Sequence, residues 1–255
     1  MTCYLCGLKT HISGPLTQIM AQPTDDLDVV PAHEDDIDHL MEVQFSAFEH
    51  DPIHPILYPG DHFSPSVRKA AGERAIDKWR ENSNTRFMKC VDRQTGLALG
   101  FAKWKFYLKE RSHEDYSKRP VVDWTTGRQK EVAENVLNAN AAMREKVWKG
   151  KPHISKCYEA NPEERERMLC AKVQLVLGLL CVHRDYQRRG VGKALVQWGL
   201  KQAKAVGLPA YLEASPDGFH LYRYLGFHQI DTVVIKSQDS DGDSDMNLIV
   251  MLKDP

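Results

Sequence analysis

The segment Gln187–Ala194 brings two glycines and three basic residues together directly after an apolar run. A helix that begins here exposes backbone N–H groups at its first turn, and the helix dipole strengthens their attraction for anions. Glycine has no Cβ, so the backbone can approach a ligand closely at Gly190 and Gly192. The segment predicts a phosphate or pyrophosphate site, with an ordinary strand-to-helix turn carrying surface arginines as the alternative.

Two common nucleotide-binding loops do not fit this segment. A GxxxxGK[ST] loop needs four residues between its glycines, whereas one residue separates Gly190 from Gly192, and Ala194 follows Lys193. The segment also lacks one of the three glycines that the GxGxxG fingerprint requires. The loop by itself therefore indicates an anion without naming the nucleotide.

The elements around the loop follow from the hydrophobic pattern. The run 173–182 is almost continuously apolar, which is typical of a strand buried on both faces. A helix is predicted over 191–205 and a short helix over 219–225. Further strands are predicted over 210–214, 227–235 and 247–252. The loop is thus placed between a buried strand and an amphipathic helix.

The first half of the chain predicts a similar mixture of elements. A strand is predicted over 27–31, a helix that begins at Asp35 and Asp36, and a second helix after Ser64-Pro65. Strands over 86–91 and 97–106 are joined by a turn that contains Gly96. Residues 107–170 are polar, and a helix is predicted over 130–148. We interpret 1–26 as a tail and 27–255 as one domain with an insertion at about 107–170.

Composition excludes several classes of function. Lys plus Arg number 34 and Asp plus Glu 35 among 255 residues, so a general nucleic-acid binder is not expected. The absence of an apolar run of 18 residues argues against a membrane span. Six cysteines in a chain of this size favour a reducing, cytoplasmic location. Cys3 and Cys6 have only His11 nearby, and the acidic loop 239–245 lacks the calcium-binding glycine and glutamate, so no metal site is expected.

Two motifs taken together resemble the GNAT superfamily of acyl-CoA N-acyltransferases. Gln187-x-x-Gly190-x-Gly192 is similar to the acetyl-CoA loop of that family, and Leu221–Phe227 is similar to its LYxxxGF signature. The segment 47–52 is similar to the first helix and loop of fungal-type members. The resemblance implies an α/β (α+β) GNAT fold, in which helices flank a twisted, mixed and mostly antiparallel sheet of six to seven strands.

The resemblance implies a set of residues that bind acetyl-CoA. The pyrophosphate is expected on backbone amides of the loop, and the pantetheine arm is expected to pair with the strand before it. The gap beside the strand 211–214 is expected to hold the thioester, polarised by a backbone N–H near Val182. The implied cofactor-binding residues are Leu180, Cys181, Val182, Gln187, Arg188, Arg189, Gly190, Val191, Gly192, Lys193, Ala194, Ser215 and Tyr222.

Catalytic roles are implied for two residues. Tyr222 matches the family tyrosine that faces the sulfur, and its phenol is expected to protonate the leaving thiolate. An ammonium must lose a proton before it attacks, so a general base is expected. Glu213 is the first candidate and Asp51 and His54 are the next, with a solvated or structural role as the alternative for each. Cys181 is expected to be an inert core residue. The loop after the first helix is expected to bind the acceptor through Phe48, Asp51, His54 and Tyr58.

Three departures from the family pattern affect these expectations. Arg184 replaces a frequent proline, which predicts a looser start of the loop, and Ser215 replaces a frequent asparagine. The long insertion is expected to build or cover the acceptor pocket. Lining that pocket is one role for Trp104, Trp124 and Trp148, and an ordinary core position is the alternative for each.

The predicted function is direct transfer of an acetyl group from acetyl-CoA to a primary amine, most naturally of a small molecule. Protein lysines or N-termini are alternative acceptors, and a non-catalytic acyl-CoA-binding protein is a further alternative. A monomer or a homodimer is expected, without metal, nucleic-acid or membrane partners.

Overall fold

Seven strands form one mixed sheet in the order β1-β2-β3-β4-β5-β7-β6. Every neighbouring pair is antiparallel except β4 and β5, which run parallel. This sheet confirms the predicted fold class. The strands are β1 Leu27–Pro31, β2 Thr85–Asp92, β3 Ala98–Tyr107, β4 Gln174–Val182, β5 Ala210–Ala214, β6 His228–Ile235 and β7 Met246–Lys253.

The computed structural model describes residues 26–51, 53–61, 64–109, 112–148, 174–235 and 246–255. The predicted tail up to residue 25, with Cys3 and Cys6, lies outside the described residues. So do the acidic loop 239–245 and residues 149–173, which include the end of the insertion. Among the described residues, every helix is too short or too polar to cross a bilayer.

The sheet carries helices on both faces. Helices α1 and α3 pack on one face over β2, β3 and β4, and α5 packs on the same face over β5, β6 and β7. Helices α6 and α7 cover the opposite face. The helices are α1 Ile37–Ala47, α2 His54–Leu57, α3 Pro65–Arg80, α4 His113–Ser117, α5 Gly127–Trp148, α6 Val191–Val206 and α7 Pro216–Tyr224.

Helix α6 lies close to the sheet because Gly199 faces the indole of Trp104. A Cβ at Gly199 would lie 2.1 Å from Trp104, so only glycine permits this contact. Trp104 is fully buried on the α6 face. It is therefore a core residue, and the expectation that it lines an acceptor pocket is wrong.

The first helix and the loop after it differ from the prediction. Helix α1 begins at Ile37 after a short 3-10 turn, and the predicted loop 51–61 contains the short helix α2. Asp51 Oδ1 accepts hydrogen bonds from the N–H groups of Ile53 (2.8 Å) and His54 (3.1 Å). Pro55 lies in the first turn of α2, where its missing N–H costs nothing. These two features explain why a proline-rich loop forms a helical turn.

The described part of the insertion folds back onto the domain. Helix α5 begins three residues before its predicted start and packs on β6 and α2. Trp124 Nε1 donates to the carbonyl oxygen of Leu57 at 2.9 Å. Lys146 pairs with Asp231 at 2.5 Å, which ties the end of α5 to β6. The insertion thereby covers the sheet face next to β5.

Candidate functional site

The central feature of the site is the separation of β4 from β5. The two strands pair only through Leu175–Ala210, Val176–Tyr211 and Leu177–Leu212. The register between β3 and β4 shifts between Lys103–Leu179 and Trp104–Leu177, so Gly178 is an extra residue in β4. This bulge lies where pairing with β5 ends, and bulges bend the strand that carries them. Beyond it the two strands diverge.

Burial along β4 changes at the same point. Residues 174–177 are buried, whereas Gly178 is exposed in the middle of the sheet and Leu179 and Leu180 are only partly buried. The expectation of a strand buried on both faces holds for the first half alone. One edge of the apolar second half of β4 therefore borders the gap, while the other edge pairs with β3.

The backbone of the loop is left-handed at two positions, which are separated by one residue. Arg188 has φ 62° and Gly190 has φ 88°. The left-handed region is unfavourable for a residue with a Cβ, so Arg188 is locally strained while Gly190 is not. The first hydrogen bond of α6 runs from Ala194 N–H to the carbonyl of Gly190 at 2.9 Å. The amides before Ala194 therefore point out of the start of the helix, as an anion site requires.

The start of the loop is held in place by side chains. Gln187 Nε2 donates to the carbonyl oxygen of Val182 at 3.3 Å. Arg184 N–H donates to Ser46 Oγ at 3.3 Å, and its guanidinium pairs with Glu49. A proline at 184 could make neither contact. The expected looseness at Arg184 is thus offset by two links to the end of α1.

The other loop residues divide into packing and surface positions. Val191 is buried against β3. A Cβ on Gly100 would lie 2.8 Å from Val191 Cγ1 and 2.6 Å from the Cys181 carbonyl oxygen, so Gly100 allows this approach. The cations of Arg189 and Lys193 lie 5.3 Å and 5.4 Å from the ring centroids of Tyr186 and Tyr224, respectively. Both cations remain at the rim of the loop.

Tyr222 projects from α7 into the core beside the gap. Its ring packs edge-on against Phe227 with centroids 5.9 Å apart, and the residue is 7% exposed. Burial, and to a smaller extent the nearby Cys181, raises the pKa of the Tyr222 phenol. The phenol therefore keeps its proton at neutral pH. Its proposed role as an acid stays a prediction.

Cys181 and Ser215 have clear local environments. Burial raises the pKa of the Cys181 thiol well above its ordinary value, so a thiolate is disfavoured there. Leu180 and Val182 alternate with Cys181 and pack on the opposite, α6, side of the sheet. Ser215 caps α7, because its Oγ accepts from the Gly218 N–H at 3.3 Å. Its hydroxyl hydrogen remains available as a donor.

Glu213 is bound on both carboxylate oxygens by groups of the protein. Arg144 of α5 donates to Oε1 and Oε2 at 2.7 Å each, and the Tyr211 hydroxyl donates to Oε1 at 2.9 Å. The Glu213 side chain is 6% exposed. Protonating this carboxylate would weaken a bidentate ion pair, so the geometry favours an anchoring role for Glu213. Its predicted role as the base is not tested by this arrangement alone.

Three of the four predicted acceptor-binding residues meet in one aromatic cluster. The His54 ring stacks on Tyr58 at 4.6 Å and on Phe48 at 5.5 Å. Gln44 Nε2 lies 3.4 Å from His54 Nε2. Asp51 does not join the cluster, since its carboxylate caps α2. The cluster lies on the α1 side of β4, near Cys181.

Comparison with known families identifies the region that carries the site. Residues 157–227 match the model of the acetyltransferase (GNAT) family. Within the described residues, this match includes β4, the loop, α6, β5 and α7. This segment is therefore similar to the GNAT family of acetyltransferases. A curated relative, the probable acyltransferase SID5 of Ajellomyces capsulatus, is 34% identical over 70 residues, which are 27% of this chain and 52% of that protein. The match thus spans about half of the relative.

Solved structures share the fold of the GNAT domain at low sequence identity. The C-terminal condensation domain of Ebony, in complex with β-alanyl-dopamine, has a TM-score of 0.58 and 14% identity, covering 90% of this chain and 99% of that one. Mosquito arylalkylamine N-acetyltransferase like 5b has a TM-score of 0.55 and 14% identity, covering 90% and 100%. These likenesses establish the fold alone.

Three residues of the site region escaped the sequence-based prediction. Gly178 forms the bulge, Arg144 binds Glu213, and Lys103 lies beside the bulge on β3. A single glycine inside an apolar run is a known signal of a bulge, so Gly178 was detectable. Arg144 and Lys103 carried no signal, since their positions depend on tertiary packing.

Proposed function

We propose that the GNAT domain transfers an acetyl group from acetyl-CoA to the primary amine of a small molecule. The divergence of β4 and β5 in front of the loop 187–192 is the observation that carries this proposal. An extended amide-bearing arm can pair with the edge of β4 that β5 leaves, as an added strand does. The diphosphate at the end of that arm then reaches the amides and the cations of the loop.

The proposed path of the arm places the thioester near Gly178. The arm begins at the loop, next to Val182, and runs toward the closed end of the gap at Leu177. The four steps between the five residues from Gly178 to Val182 span about 13 Å in an extended strand. A backbone N–H beside the bulge is therefore better placed to polarise the thioester carbonyl than the one near Val182. The oxyanion is assigned to the Gly178–Leu179 region.

The proposed reaction needs no covalent acyl-enzyme. The amine attacks as the free base, its nitrogen forms a bond to the carbonyl carbon, and the carbon–sulfur bond then breaks. Tyr222 supplies a proton to the departing thiolate, the amine proton leaves to water, and water returns a proton to the Tyr222 phenolate. The buried Cys181 thiol takes no part, because its raised pKa keeps it protonated.

The position of α5 supports a small acceptor over a peptide. This helix covers the sheet face beside β5 and is fastened by Arg144 to Glu213 and by Lys146 to Asp231. A peptide acceptor needs an open groove along that face. A covered face instead favours a compact molecule that presents one amine.

Thiol release from acetyl-CoA, measured across small amines and lysine-containing peptides, tests the proposal. We expect release that depends on the amine and is faster with small amines than with peptides. Tight binding of acetyl-CoA without release for any acceptor would establish the non-catalytic alternative. Release with peptides alone would replace the small-molecule acceptor with a protein acceptor.

A further inference from the structure

Lys103 places a cation on the acceptor side of the sheet, beside the β4 bulge. It pairs with Leu179 across β3 and β4, directly next to the extra residue Gly178. Its side chain lies on the face that α1, α3 and α5 cover, since Nζ is 5.5 Å from the ring centroid of Phe87. The residue is partly buried. The ammonium thus lies on the sheet face that α1, α3 and α5 cover, next to the bulge at the proposed thioester position.

No carboxylate among the described residues lies within ion-pair distance of Lys103. Burial lowers the pKa of Lys103, and the neighbouring Arg144 lowers it further. Both effects mean that the charged form gains little from the protein around it. A buried charge is unfavourable unless an opposite charge compensates it. The balance changes when a ligand brings an anion.

The other charges of this region leave an excess of one positive charge. Arg144 and Glu213 neutralise each other through two hydrogen bonds of 2.7 Å. Lys103 lies near this pair and adds one cation. Gly178 is exposed in the sheet centre, so the space above the bulge is accessible. The region therefore combines room for a ligand with a charge that attracts an anionic group.

We propose that the acceptor carries a carboxylate, which the ammonium of Lys103 binds while the amine of the same molecule faces the thioester. The acceptor class is thus an amino acid or another amino-carboxylate. This inference rests on the proposed acetyl transfer. A charge-assisted hydrogen bond of this kind discriminates strongly, because the cation is left uncompensated when the carboxylate is missing.

Matched pairs of acceptors test this inference. Lysine and cadaverine differ by one carboxylate, as do ornithine and putrescine. For the wild type we expect a kcat/KM about 10- to 100-fold higher for the amino acid of each pair. Lys103→Met should raise KM for the amino acids by a similar factor and leave kinetics with the diamines nearly unchanged. Lys103→Arg should keep most of the preference.

Lys105→Met is the matched control, because Lys105 lies two residues along the same strand. It should leave the preference intact. Equal activity of the wild type on both members of each pair would overturn the inference while the proposed transfer stands. A fall in kcat for both members in Lys103→Met, with KM unchanged, would also overturn it, because Lys103 would then serve the chemistry. Absence of transfer to any amine would reject the proposed function itself.

Discussion

The hydroxyl of Tyr222 is the group that donates a proton in the proposed reaction. Its ring is part of the core between α7 and the sheet, whereas its oxygen is the feature that a phenylalanine would lose. Burial raises its pKa, so the group enters the reaction protonated. Removing the hydroxyl oxygen of Tyr222 therefore separates the packing role of its ring from its proposed role as a proton donor.

Tyr222→Phe should lower kcat by about 100-fold or more, since a positioned general acid contributes on that scale. The ring contact with Phe227 persists, so we expect little change in melting temperature or in acetyl-CoA affinity. Steady-state kinetics and binding calorimetry measure these quantities. Tyr224→Phe is the control, because Tyr224 is 73% exposed. An unchanged kcat in Tyr222→Phe would remove the acid role.

The ion pair Arg144–Glu213 fixes the position of α5, a described helix of the insertion, against β5. The two residues are 69 positions apart in sequence, and they join α5 to β5. Tyr211 adds a third hydrogen bond to the same carboxylate. In this structure Glu213 therefore anchors α5 to β5.

Glu213→Gln should lower the free energy of unfolding by about 2 to 3 kcal/mol, because it leaves the partly buried Arg144 cation without its partner. The double change Arg144→Leu with Glu213→Leu should recover most of that loss, since a hydrophobic pair replaces a buried ion pair at little cost. Chemical denaturation measures the free energy of unfolding of both variants, and thiol release measures their kcat. A fully stable Glu213→Gln with abolished kcat would instead identify Glu213 as the base.

The buried thiol of Cys90 makes the folded chain less stable as the pH becomes alkaline. Cys90 is fully buried, and burial, with Asp28 adding to it, raises the pKa of its thiol from 9.0 to about 12. The folded chain keeps this proton above pH 9, whereas the unfolded chain loses it. The contribution of this thiol to the free energy of unfolding is at its maximum below pH 9 and decreases as the pH rises toward 12.

Cys90→Ala should remove this part of the pH dependence. The difference in free energy of unfolding between wild type and variant should shrink by about 1.4 kcal/mol per pH unit above pH 9. Below pH 9 the difference should stay constant and reflect the lost side-chain packing. Urea denaturation at pH 8, 9, 10 and 10.5 gives these values. A constant difference across the series would show that the thiol titrates as in solvent.

The parts of the fold that follow from local pattern were predictable. The strands, the helix 191–206 and the loop before it follow from hydrophobic period, glycine and cap residues. The single-domain organisation remains a prediction. The parts that needed tertiary information were not predictable, because Arg144 meets Glu213, and Lys103 lies beside the bulge at Gly178, only after the sheet and α5 have packed. Local sequence also left the short helix α2 and the environment of Trp104 undecided.

Hydrogen–deuterium exchange with and without acetyl-CoA measures the backbone amides that the cofactor is proposed to engage, and it therefore tests the proposed cofactor site. We expect protection over residues 178–182 and 188–194, with β1 and β2 unchanged as an internal reference. The occupied gap between β4 and β5 requires both protected segments together. Acetyl-CoA binding that leaves 178–182 and 188–194 exchanging as in the free protein would contradict the assignment of this gap as the cofactor site.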